Sequence, residues 1–207
     1  MEVNKQYDDI EERFDKDDGF YPRLSRSQRD DLERSGLNEE TIAASCIYSA
    51  GRELLDLEFD IRSSNGGMVI PYLNVEDETY VRVKLNDLFQ GGRYRSLKGR
   101  GNRLYVPQMV PRDVLSDPSK PLCITEGEKK ALKGCQEGLS CVALSGVACW
   151  RTRNGDTSVP IPDFDRVEWS GRRVTIVFDS DTATNPQVAA AELGLARELK
   201  QNVLDFA

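Results

Sequence analysis

The 207-residue chain contains no histidine. That absence removes Cys/His zinc sites, Ser–His–Asp triads and imidazole general bases, so acid, base or metal chemistry falls to carboxylates, lysine, tyrosine or cysteine. Cysteine is scarce as well. Its five residues are an odd number without CxxC spacing, the pattern of reduced thiols rather than of a disulfide scaffold. Cys123 and Cys141 fall inside apolar runs, where a thiol acts as a small hydrophobe. No apolar run approaches the ~18 residues of a membrane span. The acidic amino end lacks the basic start and apolar core of a secretory signal. A cytoplasmic protein without a membrane partner is expected. GxGxxG and P-loop patterns are missing, which argues against dinucleotide binding and a Walker-type ATPase.

Charge is plentiful and unevenly placed. Against 28 Lys and Arg stand 35 Asp and Glu, a net charge of −7. Asp8, Asp9, Glu11, Glu12, Asp15, Asp17 and Asp18 make residues 1–24 an acidic arm. Residues 82–103 reverse the sign: Arg82, Lys84, Arg93, Arg95, Lys98, Arg100 and Arg103 face only Asp87. Distribution matters more than the sum when nucleic acid is the question.

Residues 25–110 read as a smaller α+β region. Ser25 or Ser27 caps a short helix that Gly36 stops, and Asn38 caps a second over NEETIAASCIYSA. MVIPYL and TYVRVKL then form a hairpin, the second strand alternating Val81, Val83 and Leu85 with Arg82 and Lys84. A basic strand face beside the KGRGNR loop, with Tyr94, Tyr105 and Phe89 nearby, is what a single-strand binding surface needs: cations for phosphates and rings for bases. The competing reading is a solvated sheet face whose aromatics point inward. Residues 107–121 carry four prolines, so 111–120 is expected to be a linker.

Three apolar runs organise residues 121–207. Leu122–Ile124 leads to Thr125-Glu126-Gly127, Cys141–Leu144 leads to Ser145-Gly146, and Val174–Phe178 leads to Asp179-Ser180-Asp181. Buried strands separated by helix or loop imply parallel βαβ construction, with ligands at the carboxyl ends of the strands. Glu126, Asp179 and Asp181 stand at such ends, and Gly127 and Gly146 let the backbone turn. Carboxylates without histidine suit Mg²⁺ or Mn²⁺. A helix start after Gly127 favours an anion such as phosphate. Together these make a candidate phosphoryl-transfer site. The plainer alternative is an acidic helix start and a turn-forming DSD. A last helix, PQVAAAELGLARELKQ, is capped by Thr182, Thr184 or Asn185 and offers Val188, Leu193, Leu195 and Leu199 to the sheet.

The sequence ITEGEKKAL, then VALSG, then TIVFDSD resembles the toprim domain of bacterial-type primases, type IA and type II topoisomerases and related nucleases. The EGEKKA form, with RLYVP before it, is similar to toprim-like modules of phage and plasmid replication proteins. The resemblance covers about residues 67 to 201. It implies an α/β, Rossmann-like parallel sheet flanked by helices. It further implies Glu126 as general acid/base and Asp179 and Asp181 as Mg²⁺ (or Mn²⁺) ligands, with Glu128 matching the second Glu of the EGE form. Many primases carry Asp where this chain has Lys130; a lysine there either contacts phosphate or marks a site that has lost part of its metal chemistry. The implied function is a primase-type nucleotidyltransferase that binds single-stranded DNA or RNA and takes nucleoside triphosphates, often alongside a helicase domain or subunit. A toprim nuclease and a non-catalytic DNA-binding or assembly module are the alternatives.

Overall fold

The computed structural model describes residues 24–73, 80–87, 92–179 and 185–204, with side chains described up to 200. The acidic arm, Phe89, Asp181, Thr182, Thr184 and the tip of the first hairpin lie outside the described residues. The fold is mixed α/β, and the described residues form a four-stranded antiparallel sheet, a three-stranded parallel sheet and a two-stranded hairpin.

The first region opens with α1 (Arg26–Arg34), whose Ser25 cap forms a reciprocal capping box with Gln28. Next is α2 (Glu39–Ala44), capped by Asn38. The expected helix over residues 39–50 ends early. Ser45 Oγ donates to the Ile42 carbonyl at 2.7 Å, and Cys46 takes a left-handed φ of 54°. Residues Tyr48–Ala50 instead form β1 and pair with β2 (Gly67–Pro71). Short helix α3 (Arg52–Phe59) lies between them. Strand β3 (Val81–Leu85) pairs antiparallel with β2 and with β4 (Tyr94–Ser96). Its inward residues Val81, Val83 and Leu85 are buried, as the alternation required.

In the second region β5 (Leu122–Glu126) lies between β6 (Cys141–Leu144) and β9 (Val174–Val177), all parallel. Near-complete burial of β6 fits a covered parallel sheet. Helix α4 (Glu128–Gln136) connects β5 to β6, and α5 (Pro186–Leu204) packs Leu195 and Leu199 into the core while Leu193 stays exposed. Asn185 supplies the α5 cap, its Oδ1 accepting from Gln187 N at 3.0 Å. Gly194 leaves room for the Trp150 indole, which would stand 3.1 Å from a Cβ there. Between β6 and β9 the chain adds a hairpin of β7 (Arg151–Asn154) and β8 (Thr157–Pro160).

The Pro-rich stretch is docked rather than extended. Val110 and Val114 are buried in one cluster with Leu122, Phe164 and Trp169. Arg172 staples the stretch down by donating to the carbonyls of Leu115 (2.9 Å), Lys120 (3.0 Å) and Glu168 (2.6 Å). The two regions also share a core: Met68, Ile70 and Tyr72 cluster with Ala131, Leu132, Cys141 and Ala143. Tyr105 bridges onto β6 through paired backbone bonds with Ala143 of 2.8 and 2.9 Å.

Across that seam Glu128, only 2% exposed, accepts from the Tyr72 hydroxyl at 2.7 Å and from Arg82 at 2.9 Å. A buried carboxylate is tolerable only while such partners stay in place. Glu128→Ala should therefore cost about 3–5 kcal/mol in urea unfolding, and Tyr72→Phe about 1–2 kcal/mol. A Glu128→Ala loss below about 1 kcal/mol would show that the seam does not depend on this cluster.

Candidate active site and nucleic-acid interface

Gly127 sets the geometry of the site. Its φ of 80° and ψ of 136° are closed to other residues, although a Cβ would meet nothing within 4 Å. The glycine therefore serves the backbone turn between β5 and α4, which its N–H fastens to the Leu144 carbonyl at 2.7 Å. Gly146 sits in the turn after β6, where a Cβ would lie 3.4 Å from the Cys149 thiol.

Successive helical residues point about 100° apart, so the first turn of α4 sends three charges in three directions. Glu128 turns into the seam. Lys129 reaches Asp31 of α1 at 3.2 Å. Lys130, four residues after Glu126, returns over the strand ends. Its ammonium lies 3.0 Å from Glu126 Oε1 and 2.5 Å from Asp179 Oδ1. Glu126 is the last residue of β5, and Asp179 lies two beyond Val177, the last paired residue of β9. The structure thus brings Glu126, Asp179 and Lys130 together and places Glu128 elsewhere, on Tyr72 and Arg82.

The two carboxyl groups differ electrostatically. Burial and then a hydrogen bond shared with Asp179 raise Glu126 above the usual carboxylate range, despite Lys130. Hydrogen bonds from Lys130 and Glu126 hold Asp179 below it. A pair split in this way offers one acid and one base. As ligands, the two supply the hard oxygens that Mg²⁺ or Mn²⁺ prefers, but the position between them is occupied by an ammonium. Among the described residues no group of three His, Cys, Asp or Glu could hold a metal ion. Asp181 is outside that set.

Beside the trio, a groove of about 580 Å³ is lined by Lys129, Lys130 and Lys133 together with Cys123, Val177 and Phe178.

The basic segment divides into inward and outward groups. Arg82 and Lys84, expected on an open sheet face, turn to protein carboxylates: Arg82 to Glu128 and Lys84 to Asp31 at 2.7 Å, each side chain at most 16% exposed. Arg103 holds Asp163 through two bonds of 3.0 and 3.1 Å. Tyr94, expected as a stacking platform, has the Arg82 guanidinium 4.6 Å from its ring centre. Tyr105 is buried. Arg93, Lys98 and Arg100 are exposed. Arg95 donates to the carbonyls of Gly92 and Tyr94 at 2.8 and 2.9 Å. The 98–103 loop lies against β7: Asn102 Nδ2 donates to the Arg151 carbonyl at 2.6 Å. Exposed Arg151 and Arg153 therefore join the basic loop. Sequence reading missed them; the alternating RTRN beside Trp150 was the available signal.

Residues 112–205 match a family model described as "Domain of unknown function (DUF3854)". Among solved structures, the chain is similar to the Aquifex aeolicus primase in a crystal structure of its zinc-binding and RNA polymerase domains, with a TM-score of 0.51 and 14% identity. The alignment covers 75% of this chain and 43% of the primase chain, so the chain spans less than half the length of that structure. No curated protein sequence matches. The fold is primase-like. Among the described residues, no helix is long and apolar enough to cross a membrane.

The electrostatics around α1 make a separate prediction. Burial pulls the Asp31 carboxyl upward, but Lys84 and Lys129 outweigh it and leave its pKa below the ordinary value. A depressed folded pKa stabilises above the unfolded value of about 4 and is lost as pH falls through the folded one. Asp31→Asn should be less stable than wild type by about 1 kcal/mol near pH 7, with the gap closing below about pH 4. A gap that stays constant with pH would mean that Asp31 acts by packing alone.

Proposed function

We propose that this chain is a toprim-like, primase-type module of a DNA replication protein. It binds single-stranded nucleic acid and carries out nucleotidyl or phosphoryl transfer at Glu126 and Asp179. The observation that supports this best is the meeting of these two carboxylates at the carboxyl ends of adjacent parallel strands. Glu126 and Asp179 would hold Mg²⁺ or Mn²⁺, with Asp181 following in sequence. Such an ion, when bound, neutralises phosphate charge.

The chain's own groups supply the rest. Glu126, whose pKa burial raises, can exchange a proton with a departing or attacking oxygen. Asp179 stays ionised and keeps that proton directed. Phosphates of the strand meet Arg93, Arg95, Lys98 and Arg100 together with Arg151 and Arg153, while Arg82, Lys84 and Arg103 hold the scaffold. Nucleoside triphosphates are the co-substrates of the primase reading, and a helicase domain or subunit is the partner it implies.

Lys130 favours a second reading, a module that binds nucleic acid without chemistry, because its ammonium already satisfies both carboxylates. Extension of primers from nucleoside triphosphates on a single-stranded template, run beside cleavage of a labelled strand, separates synthesis from nuclease action. Glu126→Gln and Asp179→Ala should each lower turnover at least a hundredfold while leaving strand affinity within twofold. No turnover in wild type, with intact binding, would establish the non-catalytic reading.

Lys98→Ala with Arg153→Ala should weaken single-strand binding and reduce the salt dependence of log K by roughly 0.7 for each phosphate no longer neutralised. An unchanged salt slope would place the nucleic acid on another face.

A further inference from the structure

We propose that the Lys130 ammonium is the resident counter-ion of the Glu126/Asp179 pair, and that a divalent cation reaches those carboxylates only by displacing it. This rests on the reading of the pair as a metal-binding, phosphate-processing site.

The position of Lys130 follows from helix geometry. The i,i+4 spacing carries it back over Glu126, and the turn at Gly127 sets the start of α4 beside the end of β9. Its Nζ meets one oxygen from each carboxylate, at 3.0 and 2.5 Å. Those are the two oxygen donors a dication would use. An ammonium is a compact point charge, and beside a dication in the same bite it would be repelled strongly. The two are therefore alternative occupants. Charge balance points the same way. Two carboxylates attract a dication because they carry two negative charges, and Lys130 cancels one of them.

Displacement is feasible. The Lys130 side chain is 44% exposed, whereas neighbouring Lys129 is 23% exposed and bound to Asp31, which Lys84 also holds. Lys130 also lines the groove beside the trio, so its ammonium can leave the carboxylates for water or for an anion there. Lys130 thereby sets a threshold for metal entry that the carboxylates alone would lack.

The test is Mn²⁺ binding to the full chain, followed by calorimetry and by loss of the free-ion electron paramagnetic resonance signal. Wild type should bind weakly, and Lys130→Met and Lys130→Gln at least about ten times more tightly. Adding Asp179→Asn to Lys130→Met should reverse the gain. In wild type, saturating Mn²⁺ should raise acetylation of Lys130, read by peptide mass spectrometry, while Lys129 is unchanged. Equal affinity in wild type and both Lys130 variants, or no change in Lys130 labelling, would overturn the inference and leave the metal-site reading standing. No Mn²⁺ binding by any variant would overturn the inference and remove the metal from the proposed function. Salt-dependent strand binding would then still report on the nucleic-acid part independently.

Discussion

The structure depends on one buried carboxylate. Glu128 belongs by sequence to the parallel-sheet region, yet its side-chain partners lie in the first region: Arg82 on β3 and Tyr72 directly after β2. Burying an unpartnered carboxylate is prohibitive, whereas one held by a guanidinium and a hydroxyl is tolerated. The cluster therefore penalises any arrangement that separates the sheets. Burial and then Glu128 push the Tyr72 hydroxyl pKa well above its ordinary value, so that it stays protonated and continues to donate. Tyr80 and Tyr105 pack edge-on against Tyr72 with centroids 4.9 and 5.1 Å away, which keeps water from the pair. Apolar contacts supply the bulk of the association, and the buried ion pair supplies its register.

This constraint also orients the candidate site. Once Glu128 is anchored, the rotation of α4 about its axis is fixed, and a helix step of about 100° per residue determines where Lys129 and Lys130 point. Asp31 takes Lys129, which ties α1 to the same turn. Lys130 then has one direction left, over the ends of β5 and β9. The meeting of Lys130 with Glu126 and Asp179 is thus a consequence of packing at a seam on another side of the helix.

The parallel sheet was legible in the sequence because its strands are short apolar runs that each end in a polar or glycine turn, and such runs need no knowledge of distant partners. Asn38 was legible as a helix cap, and Ser25 as one of two candidates with Ser27, for a similar reason, since a capping bond spans three residues. What stayed hidden depended on long-range contacts. The segment after Ala44 carries helix-compatible residues, but pairing with β2 claims Tyr48 to Ala50 as a strand. Prolines at 107, 111, 118 and 121 suggested a linker, yet Val110 and Val114 find a core made by Phe164 and Trp169. Glu128 looked like a site residue because it matches the second Glu of the EGE form; only the fold shows which way it faces.

The basic segment shows the same limit most sharply. Its seven cations cluster in sequence, but a cluster in sequence is a surface only if acids from elsewhere do not reach it. Among the described residues three do: Glu128, Asp31 and Asp163, which are 46, 53 and 60 residues from Arg82, Lys84 and Arg103. An inward cation paired with a buried or half-buried acid has lost its hydration and gains little from a phosphate, because it would first have to abandon a better-placed partner. Exposed Arg93 and Lys98 of the 92–103 stretch and Arg153 of β7 keep their water and their long-range field, and so retain the counter-ion exchange that drives strand binding. A net charge of −7 is compatible with such a surface, because at physiological salt the field is felt within about 8 Å and not across the whole molecule.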